Sequence, residues 1–158
     1  MSFDDFFLPF DTITKTTFMN TEFFSNLPWL HILVATVAYY IIGALWYSIL
    51  FQKQWVRFHG IDTSNPDAKK GAGMIMFLGF IWTIIIVIGL SILINKMELV
   101  GGVMSGVKLG LTTGVCFSAV VISMTYLYLK KPFGLHVIDG LFHVVGQIVA
   151  AIILLVWK

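Results

Sequence analysis

The sequence predicts an all-α, polytopic membrane protein built as a four-transmembrane-helix bundle, and three observations carry that expectation. Of 158 residues, 58% are hydrophobic and 11% charged, with a mean hydropathy of +0.91; a soluble domain carries roughly 25% charged residues. Four apolar runs, near 28–51, 74–94, 103–129 and 135–157, are long enough to cross a hydrocarbon core, which takes about 20 helical residues. None alternates apolar and polar residues with the period of two that a barrel strand shows. The net charge of +2 is too small to suggest nucleic acid as a partner. The single cysteine, Cys116, excludes an intrachain disulfide framework.

The chain divides into an N-terminal segment, 1–27, and a membrane domain, 28–158. The first is acidic and carries Phe3, Phe6, Phe7, Phe10, Phe18, Phe23 and Phe24. It lacks the basic start and apolar centre of a cleavable signal peptide, so it is expected to lie in the membrane interface, to pack over the bundle or to dock on another protein. Ser25 or Asn26 is placed to cap the first helix, with Pro28 pre-set for its first turn. Beyond that helix, Phe51, Trp55 and Phe58 interleave with Lys53 and Arg57, which predicts an amphipathic turn or two at the headgroups, cations toward anionic lipid. Ser64-Asn65-Pro66-Asp67 is a helix-start signal, so the second long helix is expected to begin before its apolar run. Lys131-Pro132 ends the third, because proline disfavours helical geometry in the residue before it.

Lys53, Arg57, Lys69, Lys70, Lys130 and Lys131 all fall in the connections after the first and third long helices. The positive-inside bias therefore places both termini on the non-cytoplasmic side of the membrane. In the third helix Gly102, Gly106, Gly110 and Gly114 recur every fourth residue and Ser118 continues the row. Such small-xxx-small spacing lets another helix backbone approach closely. The first helix, the fourth helix or a second copy of the chain could be the partner.

The fourth helix contains LHVIDGLFHVVGQ, in which His136, Asp139, His143 and Gln147 share one face. Asp139 lies about 10 Å from the middle of the helix toward the cytoplasmic side, and Lys108 of the third helix about 10 Å toward the outer side. The two are therefore no ion pair. The long stem of Lys108 can snorkel to the interface, but an aspartate so deep must find a partner. Trp46, Tyr47 and Ser48 on the first helix and Ser123 and Tyr126 on the third reach its depth with groups able to donate to a carboxylate. His143 is the nearest titrating neighbour. The candidate intramembrane polar site is Asp139, His143, Tyr47, Trp46, Tyr126 and Ser123. It predicts either a clasp joining three helices or a proton or ligand site. A zinc, iron or haem centre would need ligands level with His143 on other helices, and His31 and His59 lie too far along the axis, so no metal or cofactor is expected. Cys116 has no basic group at its level to make a nucleophile, so no enzyme activity is expected either.

The stretch GALWYSILFQKQW, the glycine-rich third helix and HVIDGLFHVVGQIVAAIILLVW resemble the bacterial domain-of-unknown-function family numbered 1761. That family combines a Gly-x-x-Trp-Tyr pattern and a later Trp with an Ile-Asp-x-x-x-His pattern, here Gly43, Trp46, Tyr47, Trp55, Asp139 and His143. The resemblance runs from about Leu30 to Trp157 and departs at Tyr128-Leu129-Lys130-Lys131, where the family often has an acidic or small residue. It implies a four-helix protein of the bacterial inner membrane and no particular activity. The expected function is that of a non-catalytic assembly or accessory module whose partners are the bilayer and a homo-oligomer or larger membrane complex. The alternative is a small oligomeric channel or proton-linked transporter using Asp139 and His143.

Overall fold

The structure is a computed structural model and is described for residues 26–61 and 70–157. The phenylalanine-rich segment through Ser25, the Ser64-Asn65-Pro66-Asp67 signal and Lys69 lie outside the described residues. Helix α1 spans Trp29–Leu50, and a short α2 spans Gln52–His59. The long helices α3 (Ala72–Lys96), α4 (Gly102–Tyr128) and α5 (Phe133–Val156) follow. All four long helices have the length and apolar character to cross a membrane.

The helix ends explain themselves locally. Pro28 is the residue before α1, one position earlier than its sequence role suggested, and among the described residues no side chain caps the first turn. Gly60 ends α2 with φ +69°, a left-handed geometry that glycine adopts at little cost; the Gly60 and Ile61 amides then return to Arg57 and Val56. At the end of α4 it is Lys130 that takes positive φ, 51°, while the Lys131 amide donates back to the Tyr126 carbonyl at 2.9 Å. Pro132 immediately precedes α5.

Two helices contain a wider, π-helical turn: α1 at Trp46–Leu50, where the Phe51 amide reaches the Trp46 carbonyl at 2.9 Å, and α4 at Gly114–Ala119. Such turns insert a residue into the helical register and recur at functional sites.

Helix α5 is the centre of the bundle, packed by α4 along its length, by α1 on another side and by α3 toward its C-terminal end. The glycine row sets the α4–α5 approach. A Cβ added at Gly106, Gly110 or Gly114 would meet the Cα of Ile152, Ile148 or Val144 at 2.7, 2.3 and 2.7 Å. Gly102 stands apart from this seam, with φ +61° and, among the described residues, nothing within 4 Å of a built Cβ. The row is thus used between two helices of one chain.

On the α1 side the close-packed glycines come one from each helix, Gly146 on α5 and Gly43 on α1. The Tyr39 ring fills the space a Cβ at Gly146 would take, and Phe142 lies against Gly43. Ile32, Ala35 and Tyr39 of α1, Val87, Leu90 and Ile94 of α3, and Ala150 and Leu154 of α5 form the apolar core. This core occupies the end of the bundle away from the lysine-bearing connections. At the other end α3 diverges: every residue from Gly71 to Leu78 is exposed, and the Tyr40 hydroxyl tethers it by donating to the Met76 carbonyl at 3.0 Å.

Candidate functional site

The polar residues of α5 are arranged in two layers, each joining α5 to both α1 and α4. In the first, Asp139, 6% exposed, accepts the Tyr47 hydroxyl of α1 on Oδ1 at 2.8 Å and the Tyr126 hydroxyl of α4 on Oδ2 at 2.5 Å. Each carboxyl oxygen thus accepts one O–H bond, one from each flanking helix. In the second layer the Tyr39 hydroxyl of α1 lies 2.6 Å from His143 Nδ1. Gln147, 2% exposed, donates its amide to Ser118 of α4 at 2.5 Å.

The layers repeat with one spacing on all three helices. Tyr39 and Tyr47, Ser118 and Tyr126, and Asp139 and Gln147 are each separated by eight residues, about 12 Å of helix axis. Phe142 fills the gap, its ring 5.4 Å from that of Tyr39 and 5.2 Å from that of Tyr47. Ser118 belongs to the π-helical turn of α4, and Trp46 and Tyr47 open that of α1. Both irregular turns therefore flank the polar face of α5.

The sequence-derived site is brought together in part. Tyr47 and Tyr126 bind Asp139 directly. Trp46 reaches the same helix one residue earlier, its indole N–H donating to the Ile138 carbonyl at 3.0 Å. His143 pairs with Tyr39 through Nδ1 and, among the described residues, makes no hydrogen bond to Asp139. Ser123 lies on α4 without a hydrogen bond to Asp139 among the described residues, and the exposed Ser48 donates to its own helix at the Ala44 carbonyl. His136 packs its ring near Tyr126 and Phe133. Tyr39 and Ser118 are participants that the sequence did not single out as site residues.

Helix α2 closes the lysine-rich end over the first layer. Trp55 meets the Tyr47 ring at 5.6 Å and the His59 ring at 4.2 Å, and Phe58 sits where a Cβ at Gly134 would be. The exposed Arg57 covers the Phe58 ring at 5.0 Å. His59 Nε2 is buried and, among the described residues, unpartnered. Burial, joined by the Lys131 ammonium, pushes its imidazole below the ordinary histidine value, with Asp139 pulling the other way. The folded state then binds fewer protons than the unfolded chain, so stability rises with pH through the window just below the ordinary value of about 6.5 and is lost on acidification. The thermal midpoint should fall between pH 7 and pH 5, and His59→Phe, which keeps the stack on Trp55, should shrink that fall; an identical pH slope in the variant would assign the effect elsewhere.

Four spanning helices, a glycine-packed seam and a buried carboxylate held by two flanking helices define a polytopic membrane protein with an intramembrane polar site. A family profile described as protein of unknown function (DUF1761) matches residues 30–155. The chain belongs to that family, and the match takes in all four helices and both polar layers. No curated protein and no solved structure matches the chain.

Proposed function

We propose that the protein is a non-catalytic module of the bacterial inner membrane that serves in assembly, as a homo-oligomer or as an accessory subunit of a larger membrane complex. One observation carries this reading: both oxygens of Asp139 are taken by hydroxyls from the two helices that flank it. A carboxylate so placed is a clasp between helices, and the polar groups one layer away are likewise paired across helix boundaries. The glycine row serves the α4–α5 seam, so contacts with other chains fall to surfaces outside it, such as the exposed first half of α3. Positive-inside bias puts the lysine-bearing end in the cytoplasm and both termini opposite.

Proton-linked transport is the second reading, favoured by the 2.6 Å Tyr39–His143 pair one layer from Asp139. A hydroxyl–imidazole bond of that length can pass a proton along the α5 face. Native mass spectrometry of protein extracted gently from its host membrane tests the first reading: a defined complex or homo-oligomer is expected, and a bare monomer overturns it. Asp139→Asn separates the two. A clasp predicts a modest stability change, about 0.6 kcal/mol per lost intramembrane hydrogen bond, with nothing else altered. Transport predicts that pH-dependent ion flux in proteoliposomes disappears while the fold persists.

A further inference from the structure

The end of the bundle remote from the Asp139 layers holds a half-open cavity of about 220 Å³ lined by Asn26, His31, Ser91 and Asn95, with Ile94 and Leu154 supplying apolar wall. Ser91 is the informative member. It is 2% exposed, yet among the described residues its hydroxyl has no hydrogen-bond partner. The buried hydroxyls of Thr36, Thr83 and Thr113 all bond back to the carbonyl four residues earlier; that of Ser91 does not. Asn95 donates to the Ser91 backbone carbonyl at 2.9 Å, which fixes its amide at the rim. His31 is held by stacking on Trp157, with ring centroids 4.8 Å apart and planes 20° from parallel, and neither ring nitrogen is hydrogen-bonded among the described residues.

Two amides, an imidazole and a hydroxyl offer N–H and O–H donors beside their own acceptors, and no carboxylate is among the described lining residues. A ligand rich in acceptor oxygens suits such a site, and a phosphate ester suits it best because bonds to an anionic oxygen are the stronger kind. The volume equals that of about seven waters, room for a phosphate and the glycerol beside it. Trp29 and Trp157, both about half exposed, stand at this end of the helices. Tryptophans so placed mark headgroup depth.

We infer that this cavity binds a phosphate ester through His31, Ser91, Asn26 and Asn95, and that its occupant is the headgroup of a bilayer phospholipid. The site is independent of the Asp139 clasp. Its test uses the full chain purified in a phosphorus-free detergent, with bound phospholipid measured by phosphorus assay and native mass spectrometry. The parent is expected to retain phospholipid through washing. His31→Phe with Ser91→Ala should retain about tenfold less, while melting in lipid-free detergent stays unchanged, since the phenyl ring keeps the Trp157 stack and the Ser91 hydroxyl has no partner to lose among the described residues. If the double variant does not fold, His31→Phe alone carries the comparison. Displacement of the lipid by inorganic phosphate, or a thermal shift with inorganic phosphate and no retained lipid, keeps the site and assigns it to a soluble phosphate. A parent free of phosphorus and indifferent to inorganic phosphate, or variants that retain as much lipid as the parent, overturns the inference.

Discussion

Gly110→Val should destabilise the folded protein more than any other single replacement in the glycine row, by at least about 3 kcal/mol, the upper range for overpacking a tight core. The reason is where the new atoms go. A Cβ at Gly110 would sit 2.3 Å from the Ile148 Cα and 2.5 Å from its nitrogen, and neither is a side chain that can rotate aside. The two helix axes must separate, and every contact along the α4–α5 seam weakens with them. Gly106→Val and Gly114→Val, whose nearest backbone contacts are 2.7 Å, should follow at smaller cost. Gly89→Ala is the control, since among the described residues nothing lies within 4 Å of a Cβ built there and alanine favours a helix interior by about 0.5–1 kcal/mol. Its midpoint should rise. Thermal unfolding in detergent ranks the series, and a Gly110 variant that melts with the parent would remove the seam from its central place.

Removing both tyrosines from Asp139 should cost more than the sum of the single removals. Tyr47→Phe or Tyr126→Phe leaves the carboxylate one hydroxyl, and a single intramembrane hydrogen bond is worth about 0.6 kcal/mol on average and up to about 1.7. The double variant leaves the buried Asp139 carboxyl without either donor, and leaving a buried polar group unsatisfied adds about 1–3 kcal/mol to the two lost bonds. With Asp139→Ala the sign reverses: the tyrosine hydroxyls become the stranded groups, so Tyr→Phe should be neutral or stabilising. Denaturant unfolding of the full cycle measures the coupling. Additive costs that are the same with and without Asp139 would mean the tyrosines act through packing alone.

The spans were legible because apolar length is a strong signal and each run ends at charged or helix-breaking residues. The glycine row was legible as a packing face but not its partner, since small residues tell how closely a helix approaches and not which one. The Asp139 layer was half legible. Depth counting brings Tyr47 and Tyr126 to the carboxylate, yet it cannot separate Trp46 from Tyr47, neighbours that point about 100° apart around a helix; one reaches Asp139 and the other the Ile138 carbonyl. Ser123 sits nearly a turn from Tyr126 and misses the level for the same reason. His143 shares a face with Asp139, but groups one turn apart on a helix each take a partner at their own level, and for His143 that is Tyr39. The eight-residue spacing of Tyr39 and Tyr47 was the available clue. The π-helical turns leave no periodicity to read, because a single inserted residue changes no composition.

The central position of α5 also bears on how the protein is made. Helices α1, α3 and α4 leave the ribosome before the helix that all three pack against. Until α5 enters the bilayer, the glycine face of α4 and the hydroxyls of Tyr47 and Tyr126 lack their native partners, and α4 has no seat. At about 5–20 residues per second, the 24 residues of α5 take only seconds to emerge, and their insertion joins both polar layers and the glycine seam in one event. A nascent chain interrupted within α5 therefore leaves the tyrosine hydroxyls and the glycine face of α4 facing lipid without the helix that covers them.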